Sequence, residues 1–262
     1  MKGFSLPRTP KGTSSIVPAP PWHFVGDVMA VSFEADENNI AGFLPKGLTF
    51  ESNKCCVYFI EWQATSQENL EYLDPVRSQY KETIVLLSAK YNDTKVSYCP
   101  FIWVDQDISL VRGMFQGWPK QIGSTWITRS YNLASPAGPK LISGGKFGAT
   151  LSAKDRRLID ADISLNKEVK NLPYPGFEKA INLRYFPNLE IEKYNEPLVN
   201  ELVQLKSRDI SFSTIWEGDA KMKFYDNPYL ELPALKPLKI NKGYRFSFAL
   251  TVDDIIKLKS LS

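Results

Sequence analysis

The feature that most constrains the fold of this chain is its succession of short runs rich in β-branched and aromatic residues, separated by turn residues. Few stretches carry the three-to-four-residue periodicity of a helix. Many strands with few helices favour an antiparallel sheet system that closes or folds onto itself. We therefore predict a mostly β (α+β) single domain with few short helices. The strand candidates are Phe24–Ala35, Cys55–Ala64, Thr83–Tyr91, Lys95–Val104, Ser124–Ala134, Gly145–Ala153, Arg157–Leu165, Ile181–Tyr185, Leu198–Lys206, Asp209–Glu217, Ala220–Phe224 and Tyr244–Val252.

The two ends of the chain depart from this pattern. Residues 1–22 are rich in proline and predict an extended N-terminal arm, which precedes one domain at residues 23–262. Within the domain, Asp36–Leu44 predicts a short helix, because an aspartate can cap its start and a proline follows its end. The polar residues 92–94 predict the turn of a β-hairpin. The last ten residues, DDIIKLKSLS, predict the start of a short helix.

Several enzyme classes are excluded by what the sequence lacks. His23 is the only histidine, so a two-histidine zinc site is impossible and a nucleophilic triad has a single possible base. No GxSxG, GxxxxGK[ST], GxGxxG or CxxC motif occurs. The three cysteines, Cys55, Cys56 and Cys99, cannot build a disulfide framework, and they fit a reducing, cytoplasmic location.

Charge and hydropathy narrow the range of partners. The net charge of +3 is too slight to indicate a nucleic-acid surface. No run reaches the roughly 18 apolar residues of a membrane span, and no apolar secretory segment opens the sequence. Aromatic residues make up 13% of the chain, which predicts a thick β core that can also wall a small-molecule pocket.

Two segments carry candidate chemistry. The segment Arg112–Gly123, RGMFQGWPKQIG, places Lys120 directly after a proline and among apolar neighbours, which predicts a lysine on a rigid turn. The segment Tyr80-Lys81-Glu82 opens an apolar strand, where a carboxylate can serve as an acid or a base. On residue type alone, a surface lysine and a solvated strand start explain these segments more simply.

The pattern Gly117-x-Pro119-Lys120, about 40 residues after Tyr80-x-Glu82, resembles the active-site pattern of the acetoacetate decarboxylase family. The motifs that agree with it in order and spacing are Asp36 to Pro45 followed by GLTF, NLRYFP at 182–187, and WEG at 216–218 followed by Ala220–Phe224. The resemblance runs from about residue 20 to residue 252. The resemblance therefore covers nearly the whole chain.

This resemblance implies a cone-like, closed antiparallel β-barrel whose chains assemble into homo-oligomers. It also implies a lysine that forms a Schiff base with the ketone of a small keto acid. That lysine falls on Lys120, and the catalytic carboxylate falls on Glu82. The candidates for substrate binding are Gln116, Tyr80, Trp118 and Arg112. No metal or organic cofactor is implied, since the amine itself does the chemistry.

The sequence departs from the family decarboxylases at three places. Gln121 stands where they carry a second lysine, Gly26 where they carry a strand arginine, and Arg112-Gly113-Met114 where they carry Gly-Arg-Glu. We predict first a carbon–carbon lyase that decarboxylates a small β-keto acid through the lysine iminium. Two alternatives stay open. One is aldol or dehydration chemistry on a pyruvate-type acid, and the other is a barrel that binds a small acid without catalysis.

Overall fold

The computed structural model describes residues 1–66 and 71–261, and strands make up most of it. The helices and strands of these residues are, in chain order, β1 (Trp22–Glu34), α1 (Glu37–Phe43), β2 (Thr49–Ser66), α2 (Pro75–Ser78), β3 (Gln79–Tyr91), β4 (Thr94–Val104), α3 (Asp107–Phe115), β5 (Lys120–Ile122), β6 (Ser124–Ile127), β7 (Lys146–Ala153), β8 (Arg156–Val169), β9 (Ile181–Phe186), β10 (Val199–Phe212), β11 (Ile215–Phe224) and β12 (Lys239–Ser260). In the described ranges, no helix is long and apolar enough to cross a membrane.

A single sheet connects these strands. Its main path has the order β5-β4-β3-β2-β1-β12-β11-β8-β7-β6, and β10 branches from β12 and pairs with β9. The pair of β4 with β5 is parallel, whereas the other strand pairs of the described residues are antiparallel. The predicted mostly β fold with one antiparallel sheet system and few short helices is confirmed.

The central strands are buried on both faces, which explains why their sequences read as nearly continuous apolar runs. Alternate side chains of β1 enter opposite cores. Val28 and Ala30 pack into one core with Phe177, whereas Met29 and Phe33 pack into a second core with β7 and β8. The first core contains the candidate site described below.

Two local predictions match the structure closely. Helix α1 begins after Asp36, whose side chain accepts a hydrogen bond from Asn39 N at 3.0 Å. Strands β3 and β4 form the predicted hairpin, and Asn92 supplies the positive φ of 52° that its tight turn requires. Both elements have short-range signals that the rest of the fold does not override.

The sheet is not closed, contrary to the barrel that the resemblance implied. Within residues 1–66 and 71–261, its path begins at β5 and ends at β6, and no ladder joins these two strands. The physical reason is that only Gly123 separates them, whereas antiparallel neighbours need a turn of about two residues. Instead, Gly123 N donates to Val104 O at 2.9 Å, and β6 turns away to pair with β7.

The end of the chain was predicted as a short helix, and this prediction is wrong. Strand β12 continues to Ser260, because β10 lies beside it and supplies backbone partners as far as the pair of Glu201 with Ser260. Tertiary pairing thus overrides the local helical pattern of this segment. Ser262 lies outside the described residues.

Other strand boundaries also differ from the prediction. The break between Leu198–Lys206 and Asp209–Glu217 lies instead at residues 213–214, between β10 and β11. The candidate strand Ser124–Ala134 ends at Ile127, because its partner β7 pairs only as far as Ala149 opposite Ile127. The division into an arm and one domain stays a prediction.

Candidate active site

Lys120 is the first residue of β5 and follows the turn that ends helix α3. Gln116 caps the helix, and Gly117 follows with a φ of 80°, in the left-handed region that favours glycine. A Cβ at Gly117 would also lie 2.9 Å from Val203 Cγ2. Parallel pairing of Lys120 with Ile102 then holds the lysine beside β4. The Gly-x-Pro-Lys motif is therefore a turn whose backbone geometry directs the lysine.

The amine of Lys120 forms a short, buried ion pair with Glu82. Lys120 Nζ donates to Glu82 Oε2 at 2.6 Å and to Ser109 Oγ at 2.9 Å. The side chains of Lys120 and Glu82 are only 6% and 5% exposed. Trp62 Nε1 donates to the second carboxylate oxygen at 2.9 Å, so both oxygens of Glu82 are held. The arrangement places an amine and a proton acceptor in direct contact away from bulk water.

Burial lowers the pKa of Lys120, because the ammonium form is poorly solvated at this position. The Glu82 carboxylate acts in the opposite direction, whereas the Arg112 guanidinium lowers the pKa further. Gln121, at the position of the family's second lysine, is exposed and is the next residue along β5, so its side chain turns to the other face. Arg112 is thus a cation that lowers the pKa of the lysine, although Gln121 replaces the second lysine.

Arg112 projects from α3 and is 3% exposed. Its Cζ lies 4.7 Å from the ring centroid of Phe24 and 5.6 Å from that of Tyr80. Its Nη2 has no hydrogen-bond partner in the described part of the chain. A buried guanidinium with an unused donor suits a carboxylate, since leaving such a donor unpaired costs free energy.

These side chains line a cavity of about 50 Å³. Its wall contains every residue that the sequence predicted for the site: Lys120, Glu82, Gln116, Tyr80, Trp118 and Arg112. Most other lining residues are apolar, among them Phe24, Phe177 and Leu250. Burial raises the pKa of Tyr80, so the phenol keeps its proton and can donate a hydrogen bond. The catalytic and binding roles of these residues stay predictions.

The sequence analysis missed Ser109 and the helix that carries it. Ser109, Arg112, Gly113 and Gln116 follow the i, i+3, i+4, i+7 spacing of one helix face, and all four are buried. This stripe consists of polar and small residues, so a search for apolar periodicity passes over it. The analysis of the sequence also missed Trp62, which donates a hydrogen bond to Glu82. No local pattern marks this residue, because its role depends on the pairing of β2 with β3.

Two glycines shape the site by leaving space. A Cβ at Gly113 would lie 2.3 Å from Lys120 Cδ, so the missing side chain lets α3 pack directly on the lysine. A Cβ at Gly26 would lie 2.6 Å from Trp62 Cε3. Trp62 therefore occupies the space that an arginine at position 26 would need.

Fold and site together define a class of β-sheet protein that holds a buried lysine against a carboxylate in a largely apolar cavity. The model of the acetoacetate decarboxylase (ADC) family matches residues 5–261. This chain therefore belongs to the acetoacetate decarboxylase family.

Solved structures agree with this assignment. The enduracididine biosynthesis enzyme MppR, complexed with the condensation product of pyruvate and imidazole 4-carboxaldehyde, is 32% identical with a TM-score of 0.93, over 100% of this chain and 98% of that one. MppR complexed with pyruvate is 31% identical with a TM-score of 0.92, over 100% and 99%. An acetoacetate decarboxylase-like enzyme from Sphingomonas wittichii RW1, 22% identical over 99% and 100% of the chains, has a TM-score of 0.90 and shows the shared fold. A search of curated proteins gives no match.

Proposed function

We propose that this chain is a Schiff-base enzyme that activates a small keto acid through Lys120. The observation that carries the proposal is the buried hydrogen bond from Lys120 Nζ to Glu82 Oε2, in a cavity that also holds the Arg112 guanidinium. The site thus combines a nucleophile, a proton acceptor and a cation for the substrate carboxylate.

The amine must lose a proton before it can attack a ketone. An ordinary lysine, with a pKa near 10.4, is almost entirely protonated at pH 7. Burial and the Arg112 charge favour the neutral amine, and Glu82 is in contact to accept the proton. Attack on the ketone and loss of water then give an iminium, which withdraws electrons from the neighbouring carbon atoms.

Of the reactions open to such an iminium, we favour aldol addition and dehydration of a pyruvate-type acid. Loss of a proton from the methyl group of the acid gives an enamine that can attack a second carbonyl compound. One observation supports this choice over decarboxylation: MppR, 31–32% identical, is described with pyruvate and with a pyruvate condensation product. The unused donor of Arg112 suits the carboxylate of either kind of acid.

Decarboxylation of a β-keto acid, the first prediction from the sequence, is the second candidate. It requires the same iminium, which takes up the electron pair released when carbon dioxide leaves. Membership of the acetoacetate decarboxylase family supports it. The exposed Gln121 speaks against it, because the second lysine of the family decarboxylases is missing.

Borohydride trapping tests the proposal directly. The protein is incubated with pyruvate or acetoacetate, reduced, digested and analysed by mass spectrometry. We expect a stable adduct on Lys120, and none in Lys120→Ala or in the charge-conserving control Lys120→Arg. Release of carbon dioxide from acetoacetate would favour the second candidate. Binding of either acid without any adduct from about pH 5 to 9 would overturn the Schiff-base proposal and favour a binding protein.

Two further properties belong to the proposal. We expect homo-oligomers, as the family resemblance implies, and sedimentation of the purified chain would measure their size. We also expect a reducing, cytoplasmic location, because Cys55, Cys56 and Cys99 are all unpaired and buried.

A further inference from the structure

A second cavity lies next to the proposed catalytic site. It measures about 280 Å³, more than five times the volume of the catalytic cavity. We call it the arm chamber, because the N-terminal arm supplies part of its wall. It is lined chiefly by Phe4, Trp22, Phe115, Gln116, Arg184 and Phe186.

Gln116 contributes to the walls of both cavities. This residue is 5% exposed, and its Nε2 has no hydrogen-bond partner within the described residues. A buried amide with an unused N–H group is a site for an acceptor atom of a ligand. Because Gln116 lies between the two cavities, a ligand atom that accepts this hydrogen bond would lie where the cavities adjoin.

The other walls of the arm chamber are largely aromatic. The ring of Phe4 lies edge-on to Trp22, with centroids 6.0 Å apart, and edge-on to Phe115 at 6.3 Å. Phe186 lies 5.8 Å from Arg184 Cζ. Such walls favour a flat, apolar ligand.

The charges at the arm chamber are nearly balanced. Arg184 Nη1 binds Glu201 Oε1 at 3.1 Å, and Asp254 contributes to the same wall. Arg184 Nε has no partner among the described residues, so it can donate one hydrogen bond to a polar substituent. Balanced charge with few free donors suits an uncharged ligand better than a second acid.

The catalytic cavity is small for a two-substrate reaction. Its volume of about 50 Å³ corresponds to roughly four water-sized positions, which suits a small keto acid. The adjoining arm chamber offers a larger space for a second reactant.

We propose that the arm chamber binds the second substrate, an aromatic aldehyde whose oxygen accepts a hydrogen bond from Gln116 Nε2. This inference rests on the proposed aldol function. The methyl carbon of the enamine on Lys120 forms the new carbon–carbon bond with the aldehyde carbon, and the aldehyde oxygen takes a proton to become a hydroxyl. Loss of water leaves a double bond, and hydrolysis of the iminium by one water releases the product. Pyruvate and benzaldehyde thus give benzylidenepyruvate and one water.

The test compares benzaldehyde with acetaldehyde at saturating pyruvate. In Phe4→Ala and Phe186→Ala we expect KM for benzaldehyde to rise about tenfold, because aromatic contact area is lost, with KM for pyruvate and for acetaldehyde unchanged. Phe212→Ala is the matched control. Phe4 and Phe212 are 49% and 48% exposed, and Phe212 lies in neither wall.

The outcomes separate the two proposals. One outcome overturns the assignment of the arm chamber alone. In it, pyruvate still leaves a borohydride adduct on Lys120, but the Phe4 and Phe186 variants have the same KM for benzaldehyde as Phe212→Ala. If no pyruvate adduct forms in the unaltered protein, the catalytic proposal itself fails. A Gln116→Leu variant that raises KM for both aldehydes but still forms the pyruvate adduct would support the hydrogen bond to the aldehyde oxygen.

Discussion

At the scale of single residues, two charges of opposite sign act on one amine. Glu82 contacts Lys120 Nζ and raises the pKa of the lysine, whereas Arg112 lowers it. Burial sets the net direction, which is downward. The effect of each charge can therefore be separated by substitution, provided that the probe ketone carries no charge of its own.

We expect Glu82→Gln to move borohydride trapping of acetone on Lys120 to lower pH. Removing the negative charge removes the contribution that raises the lysine pKa, so the neutral amine persists further into acid. Turnover with pyruvate should fall about a hundredfold to ten-thousandfold, because the proton acceptor is lost. The measurement is the pH profile of adduct formation. An unchanged or upward-shifted profile would contradict the electrostatic role of Glu82.

The contrasting variant is Arg112→Gln, for which the same profile should move to higher pH. Here the lost charge is the one that disfavours the ammonium. Acetone carries no carboxylate, so the profile reports the lysine and not the binding of an acid. The KM for pyruvate should rise as well, and a normal KM would remove Arg112 from the substrate site.

At the scale of elements, helix α3 is the support of the site. Ser109, Arg112 and Gln116 project from one face, and Gly113 lies on that same face against the aliphatic chain of Lys120. The absence of a side chain at Gly113 is what lets the helix approach the strand that carries the lysine. The helix therefore carries three polar groups of the site and leaves space for the side chain of the lysine.

Gly113→Ala should impair both stability and catalysis. Alanine favours a helix over glycine by about 1 kcal/mol, but a Cβ at position 113 would lie 2.3 Å from Lys120 Cδ. Because Glu82 and Ser109 hold this buried lysine in place, the free energy of unfolding should fall by about 1–3 kcal/mol. The new Cβ meets Lys120 Cδ and Cε, so adduct formation should fall about tenfold or more. Denaturant unfolding and trapping rates measure the two effects.

Gly42→Ala in helix α1 is the control, because a Cβ there meets nothing within 4 Å. It should gain the same helical preference and leave trapping unchanged. If the two variants behave alike in trapping, Gly113 does not position the lysine.

Features that depend on residues close together in the sequence could be predicted, whereas features that depend on pairing between distant segments could not. Asp36 and the turn at Asn92 act within a few residues, so helix α1 and the β3–β4 hairpin could be predicted. The six predicted site residues lie in or beside the two motifs of the family pattern, around Lys120 and Glu82, and all six line the cavity. The contribution of Trp62 depends on β2 pairing with β3, which no short stretch of sequence specifies.

At the scale of the whole molecule, polar contacts tie the outer parts of the sheet together. Burial acts to raise the pKa of Glu51, but hydrogen bonds from Lys95, Ser52 and Ser88 outweigh it and lower that pKa to about 2. Lys95 Nζ lies 2.5 Å from Glu51 Oε1, which connects β4 to β2. Tyr174 also donates to Glu51, at 3.4 Å, from the segment that precedes Phe177.

We expect Glu51 to contribute to acid sensitivity. Its folded pKa of about 2 lies below its ordinary value of 4.5, so its stabilising contribution is present above pH 4.5 and is lost as the pH falls toward 2. Glu51→Gln should lower the free energy of unfolding at pH 7 and flatten its fall between pH 4.5 and 2. Urea unfolding at several pH values measures this.

Glu192→Gln, at an exposed position, is the matched control and should change the unfolding free energy by less than about 0.5 kcal/mol. Equal pH slopes for the two variants would show that Glu51 does not carry the effect.

The open ends of the sheet have a consequence for solubility. A sheet that does not close leaves edge strands, and long edge strands recruit other chains and aggregate. Here the two ends of the main path are β5 and β6, which are only three and four residues long. Each end can offer another chain little more than one or two backbone hydrogen-bond pairs. The break at Gly123 thus leaves the lysine on a short terminal strand, and neither end of the main path is long enough to template intermolecular β-pairing.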